Sequence, residues 1–228
     1  MEDSMKESEF KFVFLGQSVL RYKTPKPILD EINSTYEKLM KKKKLLHMRD
    51  HLAGKIYNEH SLFWNSQEEN RMKRHRVLSE SVINFFKEKT IHYLNWNNIK
   101  DYQYKINSIW VNEMKAGEYN PIHAHSGDLL VGLSSVMFLK IPKSYGKEYV
   151  KKEQPCNGQL SLLGNSTGHF CKAEYAPRDI EEGDFILFPY DIRHCVYPFR
   201  GKGKRRTLSA NIDVFYNPFP VPVPTHKT

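Results

Sequence analysis

Cysteine is scarce in this 228-residue chain: there are three, at 156, 171 and 195, irregularly spaced. An odd, irregular set argues against a disulfide framework and against a cysteine-based zinc site, and in a reducing compartment a Cys156–Cys171 bridge is not expected. Long apolar runs are also missing. Stretches such as Phe-Ile-Leu-Phe at 185–188 are far too short to span a bilayer, so no membrane association is expected. The opening residues, MEDSMKESEF, lack the apolar centre of a signal peptide, and the expected location is the cytoplasm. No internal repeat and no low-complexity segment interrupts the chain.

What is present fits a folded globular protein, because apolar residues make up 39% and aromatics 13%. One domain is expected: a mainly helical supporting segment over 1–100, a β core over 101–216, and an extended proline-rich tail over 217–228. The formal charge of +9 attracts anions, whether nucleic acid, ribosomes, acidic proteins or small carboxylates. Its densest run, Lys41 to Lys44, reads as a solvated helix end. No aromatic stacking pattern accompanies it, so nucleic acid is not a required partner.

The hydrophobic period changes near residue 100. Ile28, Ile32, Tyr36 and Leu39 recur at helical spacing behind two prolines. Val77, Val82, Phe85, Phe86 and Leu94 repeat that pattern, and the segment between the two, with its glycine and asparagines, reads as loop. Beyond residue 100, short strands are expected at 102–114, 133–141, 158–164, 183–189 and 205–216, separated by turn residues. Such a set forms a sandwich or small barrel, with the helices on its outer face.

Within that barrel, His123 and His125 are one residue apart, so on extended chain they project to one side and can share an ion. His194 follows a strand about seventy residues later and offers a third imidazole. Three such donors leave positions open on a metal, as in non-haem iron oxygenases. On the last strand Arg205, Thr207, Ser209 and Asn211 form one wholly polar face, whereas Arg206, Leu208, Ala210, Ile212 and Val214 form the other. A polar face in this position lines a polar cavity, where a guanidinium suits a small carboxylate. Asn112 alternates with Trp110 on the strand entering the site, where it is a candidate to hydrogen-bond the co-substrate or else satisfies a neighbouring strand; Trp110 is expected in the core. Tyr119 reads as a turn residue and Cys195 as packing. His47, His51, His60, His75, His92 and His169 have no ligand-like partner, and the basic segment 143–157 reads as a gating loop or a surface insertion.

These residues carry a resemblance. Trp110 and Asn112, the His123-x-His125 pair, Ser135-Val136-Met137-Phe138-Leu139, Gly183 to Pro189, His194, and Arg205 to Asn211 follow one another as in the 2-oxoglutarate/Fe(II)-dependent oxygenase superfamily. They look most like its prolyl-hydroxylase-like branch in marine bacteria and their phages. The resemblance implies a double-stranded β-helix, a jelly-roll or cupin-like barrel with a helical N-terminal part. It implies Fe(II) and 2-oxoglutarate, with ascorbate as an accessory reductant, and hydroxylation of a prolyl or other protein side chain, or of a small molecule. An acidic or ribosome-associated target is compatible with the charge. For a phage protein the compartment would be the host cytoplasm. His194 takes the distal iron ligand's place, Arg205 the place of the residue that binds the distal carboxylate of 2-oxoglutarate, and Thr207 that of a hydrogen-bond donor beside it. Arg206 replaces Arg205 if the register slips by one. The superfamily usually carries a carboxylate where His125 stands. Three imidazoles therefore hold the metal, or Asp128 reaches in as a substitute or supporting ligand, or water takes the position. Two rivals remain: a cupin-like three-histidine enzyme that does not use 2-oxoglutarate, and a barrel without chemistry that binds a partner.

Overall fold

The structure is a computed structural model that describes residues 16–48, 54–64, 75–147, 156–164 and 173–216. The proline-rich tail, His51, His169, Cys171 and residues 148–155 of the basic loop lie outside the described residues.

In chain order the elements are β1 (Leu20–Lys23), α1 (Lys26–Lys41), β2 (Asn58–Ser61), α2 (Glu80–Trp96), β3 (Tyr102–Met114), β4 (Asn120–His123), β5 (Gly132–Lys140), β6 (Leu160–Leu163), β7 (Glu174–Tyr175), β8 (Asp184–Pro189), β9 (Arg193–Val196) and β10 (Arg205–Tyr216). They form a six-stranded sheet, β1-β8-β5-β10-β3-β2, and a four-stranded sheet, β4-β9-β6-β7. The pairing is antiparallel throughout. This is the double-stranded β-helix that the sequence suggested, mainly β with two helices.

Strand alternation sorts the side chains into two cores. Phe185 and Leu187 of β8, Met137 and Leu139 of β5, and Leu208, Ala210, Ile212 and Val214 of β10 face α1 and α2. Their neighbours Ile186, Phe188, Val136 and Phe138 point the other way and meet Leu160, Leu162, Ile192 and Val196 of the small sheet. Period-two geometry requires this division once the register is set. The helices are built for the outer layer. Pro27 occupies the first turn of α1, where its missing N–H costs nothing, and Ile32 and Tyr36, one turn apart, are buried. Ser79 caps α2 by accepting the Val82 N–H. Val77 therefore precedes α2 instead of lying on it.

Two N-terminal segments differ from expectation. Leu20–Lys23 and Asn58–Ser61 are the two edge strands of the large sheet, although the region before residue 100 read as helix and loop. Each is four residues long, too short for a two-residue period to stand out.

The register of β10 is pinned from its outer face. Arg206 donates through Nε to Glu113 Oε2 at 2.9 Å and through Nη1 to Asn33 and Glu37 of α1. Lys204 closes the other side of Glu113. A slip by one residue would bury this network against the wrong layer, so Arg205 faces inward and Arg206 does not.

Candidate active site

The inner face of β10 and β3 meets β4 and β9 across a cavity. His123 and His194 are register partners between β4 and β9, and their rings lie 4.2 Å apart between centroids. His125 lies two residues beyond β4, held by its N–H to Tyr190 O at 3.0 Å and by Trp110 at 5.9 Å between centroids. Its Nε2 is 3.2 Å from Nε2 of His194. The three candidate ligand nitrogens lie within 4.8 Å of one another.

Their orientation suits a metal. Nδ1–H of His123 donates to Pro121 O at 2.7 Å, and Nδ1–H of His194 to Ile192 O at 3.2 Å. Fixing the proton on Nδ1 turns the Nε2 lone pairs toward the shared centre, as outer hydrogen bonds do around bound metals. Burial, with the neighbouring imidazoles, pushes His125 down to about 2 and His194 down to about 3; burial also lowers His123. The rings are neutral donors at pH 7. Nitrogen donors at roughly 2.0–2.1 Å from one ion stand at most about 4.2 Å apart, so the rings would draw in slightly around a metal.

Asp128 is not brought to this cluster. Its carboxylate pairs with Lys105 and its side chain is 70% exposed. Its N–H donates to Asp213 Oδ2 at 3.0 Å, and Gly127 packs so closely that a Cβ there would lie 2.1 Å from both Asn107 Nδ2 and Asp213 Oδ1. This packing turns the loop outward after His125 and leaves the third place to the imidazole.

Arg205 lies in the same cavity, 1% exposed. Its guanidinium rests on the Phe138 ring and directs Nη1 to Met114 Sδ, while Nε and Nη2 have no hydrogen-bond partner among the described residues. An uncompensated buried charge costs several kcal/mol, so this geometry is built to receive an anion. Thr207, Ser209, Asn211 and Asn112 line the cavity with it, and Asn112 Nδ2 donates to Ser209 Oγ at 3.4 Å.

Trp110 is buried, as expected of a core residue, and it also forms cavity wall against His125. Sequence reasoning missed two contributors. Tyr145, in the basic loop, stands beside Arg205; burial raises its phenol while the guanidinium opposes that shift. Glu59 lines the cavity from β2. Of the remaining candidates, Tyr119 gives its carbonyl to Lys55 N–H, and Cys195 is buried, as expected of a packing residue. The His47 and His60 rings lie 4.3 Å apart between centroids, tilted by 43°, and neither belongs to the three-histidine cluster.

A jelly-roll barrel that gathers three neutral imidazoles and a buried guanidinium in one cavity defines a metal-dependent enzyme with an acidic co-substrate. Residues 108–211 match a family described as "Putative 2OG-Fe(II) oxygenase". Over that segment, a little under half of its length, the chain is similar to 2-oxoglutarate/Fe(II)-dependent oxygenases, enzymes that use Fe(II) and 2-oxoglutarate. No curated protein matches the sequence. Among solved structures, a prolyl-4-hydroxylase from Pseudomonas putida is similar at 13% identity and a TM-score of 0.50, over 87% of this chain and 92% of its own. A prolyl hydroxylase from Trichoplax adhaerens, in complex with a peptide fragment of the hypoxia inducible factor oxygen degradation domain, gives 13% and 0.54, over 87% and 83%. HygX from Streptomyces hygroscopicus, with nickel, 2-oxoglutarate and hygromycin B bound, gives 9% and 0.53, over 87% and 83%. At these identities the likeness concerns the fold. Among the described residues no helix is long and apolar enough to cross a membrane.

Proposed function

We propose that His123, His125 and His194 hold the iron, that Arg205 with Thr207, Asn112 and Tyr145 holds 2-oxoglutarate, and that the enzyme hydroxylates a prolyl or similar side chain of a protein. The observation that carries the site assignment is the buried Arg205 guanidinium, whose Nε and Nη2 have no hydrogen-bond partner among the described residues, in the cavity where the three imidazoles converge. Arg205 binds the distal carboxylate, and Tyr145 and Thr207 add donors beside it. Trp110 and Val196 exclude water from the walls. When bound, iron and 2-oxoglutarate together supply the oxidising chemistry: decarboxylation to succinate and carbon dioxide with transfer of one oxygen atom from O2 to a substrate C–H. The protein's share is donor geometry, orientation and a dry enclosure.

A protein substrate is favoured by the fold shared with proteins called prolyl hydroxylases, one of them in complex with a peptide fragment. The formal charge of +9 favours an acidic or ribosome-associated segment as the target. Scarce, irregular cysteines suit a reducing cytoplasm. The test is an assay of succinate formed with Fe(II), 2-oxoglutarate and ascorbate against proline-containing peptides of acidic and neutral composition. Hydroxylated peptide in step with succinate is expected. Succinate coupled only to small molecules overturns the substrate assignment, and bound iron without succinate favours the cupin-like rival.

A further inference from the structure

The third imidazole is placed differently from the other two. His123 and His194 lie on paired strands, and each ring is oriented by a backbone carbonyl. His125 lies beyond β4, at the head of a run, 126–131, in which every residue is exposed. No carbonyl among the described residues orients its ring; its Nε2 meets His194 instead. Ordering a loose residue costs about 1–2 kcal/mol of backbone entropy, so a ligand on such a loop is effective only where the loop is anchored beforehand.

The anchor is Asp213. It is 3% exposed and continues the cavity-facing row of β10, opposite Gly132 of β5 as Asn211 is opposite Ser134. Its Oδ2 accepts the Asp128 N–H at 3.0 Å, and its Oδ1 accepts the Tyr190 hydroxyl at 3.2 Å. Tyr190, 1% exposed, spans the same loop with its backbone. Its carbonyl accepts the His125 N–H at 3.0 Å, and its N–H donates to Gly132 O at 2.9 Å. A Cβ at Gly132 would collide with the Tyr190 ring, so the approach of that ring requires the glycine. Asn211 adds a bond to Ser126 O at 3.2 Å. Both ends of the loop are thus tied to one carboxylate and one tyrosine, and neither of these lines the cavity that holds the imidazoles.

We propose that Asp213 and Tyr190 are positioning residues for the metal centre: they hold the loop from 125 to 132 so that His125 serves as the third ligand. This rests on the reading of the site given above. The effect on the metal passes through His125, because His123 and His194 have their own strand pairing and carbonyls. It depends on hydrogen-bond geometry, so an amide at 213 substitutes: its oxygen accepts the Asp128 N–H and its NH2 donates to the Tyr190 hydroxyl oxygen.

The experiment is a double-mutant cycle on Ni(II) affinity, measured by calorimetry with folding checked by circular dichroism. Asp213→Ala lowers the affinity about tenfold or more, as expected for a residue that holds a ligand in place. Combined with His125→Ala, the same change lowers it by less than about threefold, because the ligand it serves is already gone. Asp213→Asn stays within about threefold of wild type. Should Asp213→Ala fail to fold, Tyr190→Phe takes its place in the cycle, with a loss of about threefold or more that disappears in the His125→Ala background. Equal losses with and without His125, no loss in the single variant, or a loss in Asp213→Asn as large as in Asp213→Ala overturns the proposal. Wild-type Ni(II) affinity in His125→Ala alone overturns the reading of the site itself, and the proposal with it.

Discussion

Nε2 of His125 stands 3.2 Å from Nε2 of His194, and the latter ring already spends its Nδ1 proton on Ile192 O. In the metal-free protein His125 therefore donates to His194 through Nε2–H. When a cation enters, that proton moves to the far nitrogen of the same ring instead of leaving. With His125 at about 2 and His194 at about 3, both rings are neutral well below pH 7. Metal uptake at pH 7 is thus expected to release no protons, unlike sites built from charged ligands. Calorimetry in buffers of different ionisation enthalpy measures this directly. An apparent enthalpy independent of the buffer is expected; release of a proton per metal would contradict the neutral-donor assignment.

Arg205 and Arg206 are adjacent but separable. Arg205→Gln removes the anion's partner, so the KM for 2-oxoglutarate should rise about a hundredfold or more while metal affinity stays within about threefold. Arg206→Gln breaks a buried pair with Glu113 and should cost about 3–5 kcal/mol in denaturant titrations, with the 2-oxoglutarate KM of the folded protein unchanged. Equal loss of metal and 2-oxoglutarate affinity in the Arg205 variant would count against its assigned role.

Tyr145 stands beside Arg205 from a loop instead of a strand. Tyr145→Phe deletes one donor to a charged group, and the KM for 2-oxoglutarate should rise about tenfold with kcat nearly intact. A drop in kcat alone would point to loop closure instead.

Acid should weaken the fold through His60. Burial and the nearby His47 push it down to about 4, and its Nδ1 is buried without a hydrogen-bond partner among the described residues. Its folded value lies below the ordinary unfolded one, so the unfolded chain binds more protons between them. Stability is retained above about 6.5 and lost as pH falls toward 4, by at most about 1.4 kcal/mol per pH unit for this group. Denaturant titrations of wild type and His60→Leu from pH 7 to 4 check it: the variant's slope should be shallower by one proton.

What was legible in the sequence followed periodicity. Arg205, Thr207, Ser209 and Asn211 announced a cavity because a long strand repeats its two faces often enough to expose the odd one. His194 was readable because a turn and a strand framed it. Trp110 was read as core and is buried, but its place on the cavity wall was not legible, because an indole on a buried strand looks alike whether it faces a core or a hollow. Asp128 was nearby in sequence, and only the packing of Gly127 against Asp213 decides that it turns away. Glu59 and Tyr145 left no pattern: one sits on a four-residue edge strand, the other on a loop, and their approach to the site depends on pairing and packing with residues far along the chain.

Metal content per folded chain tests the central claim most directly. Wild type and Asp128→Asn, dialysed against Fe(II) without oxygen, should each retain one iron, whereas His123→Ala, His125→Ala and His194→Ala should each lose most of it. Full retention in the His125 variant, or loss in the Asp128 variant, would contradict a centre made of three imidazoles.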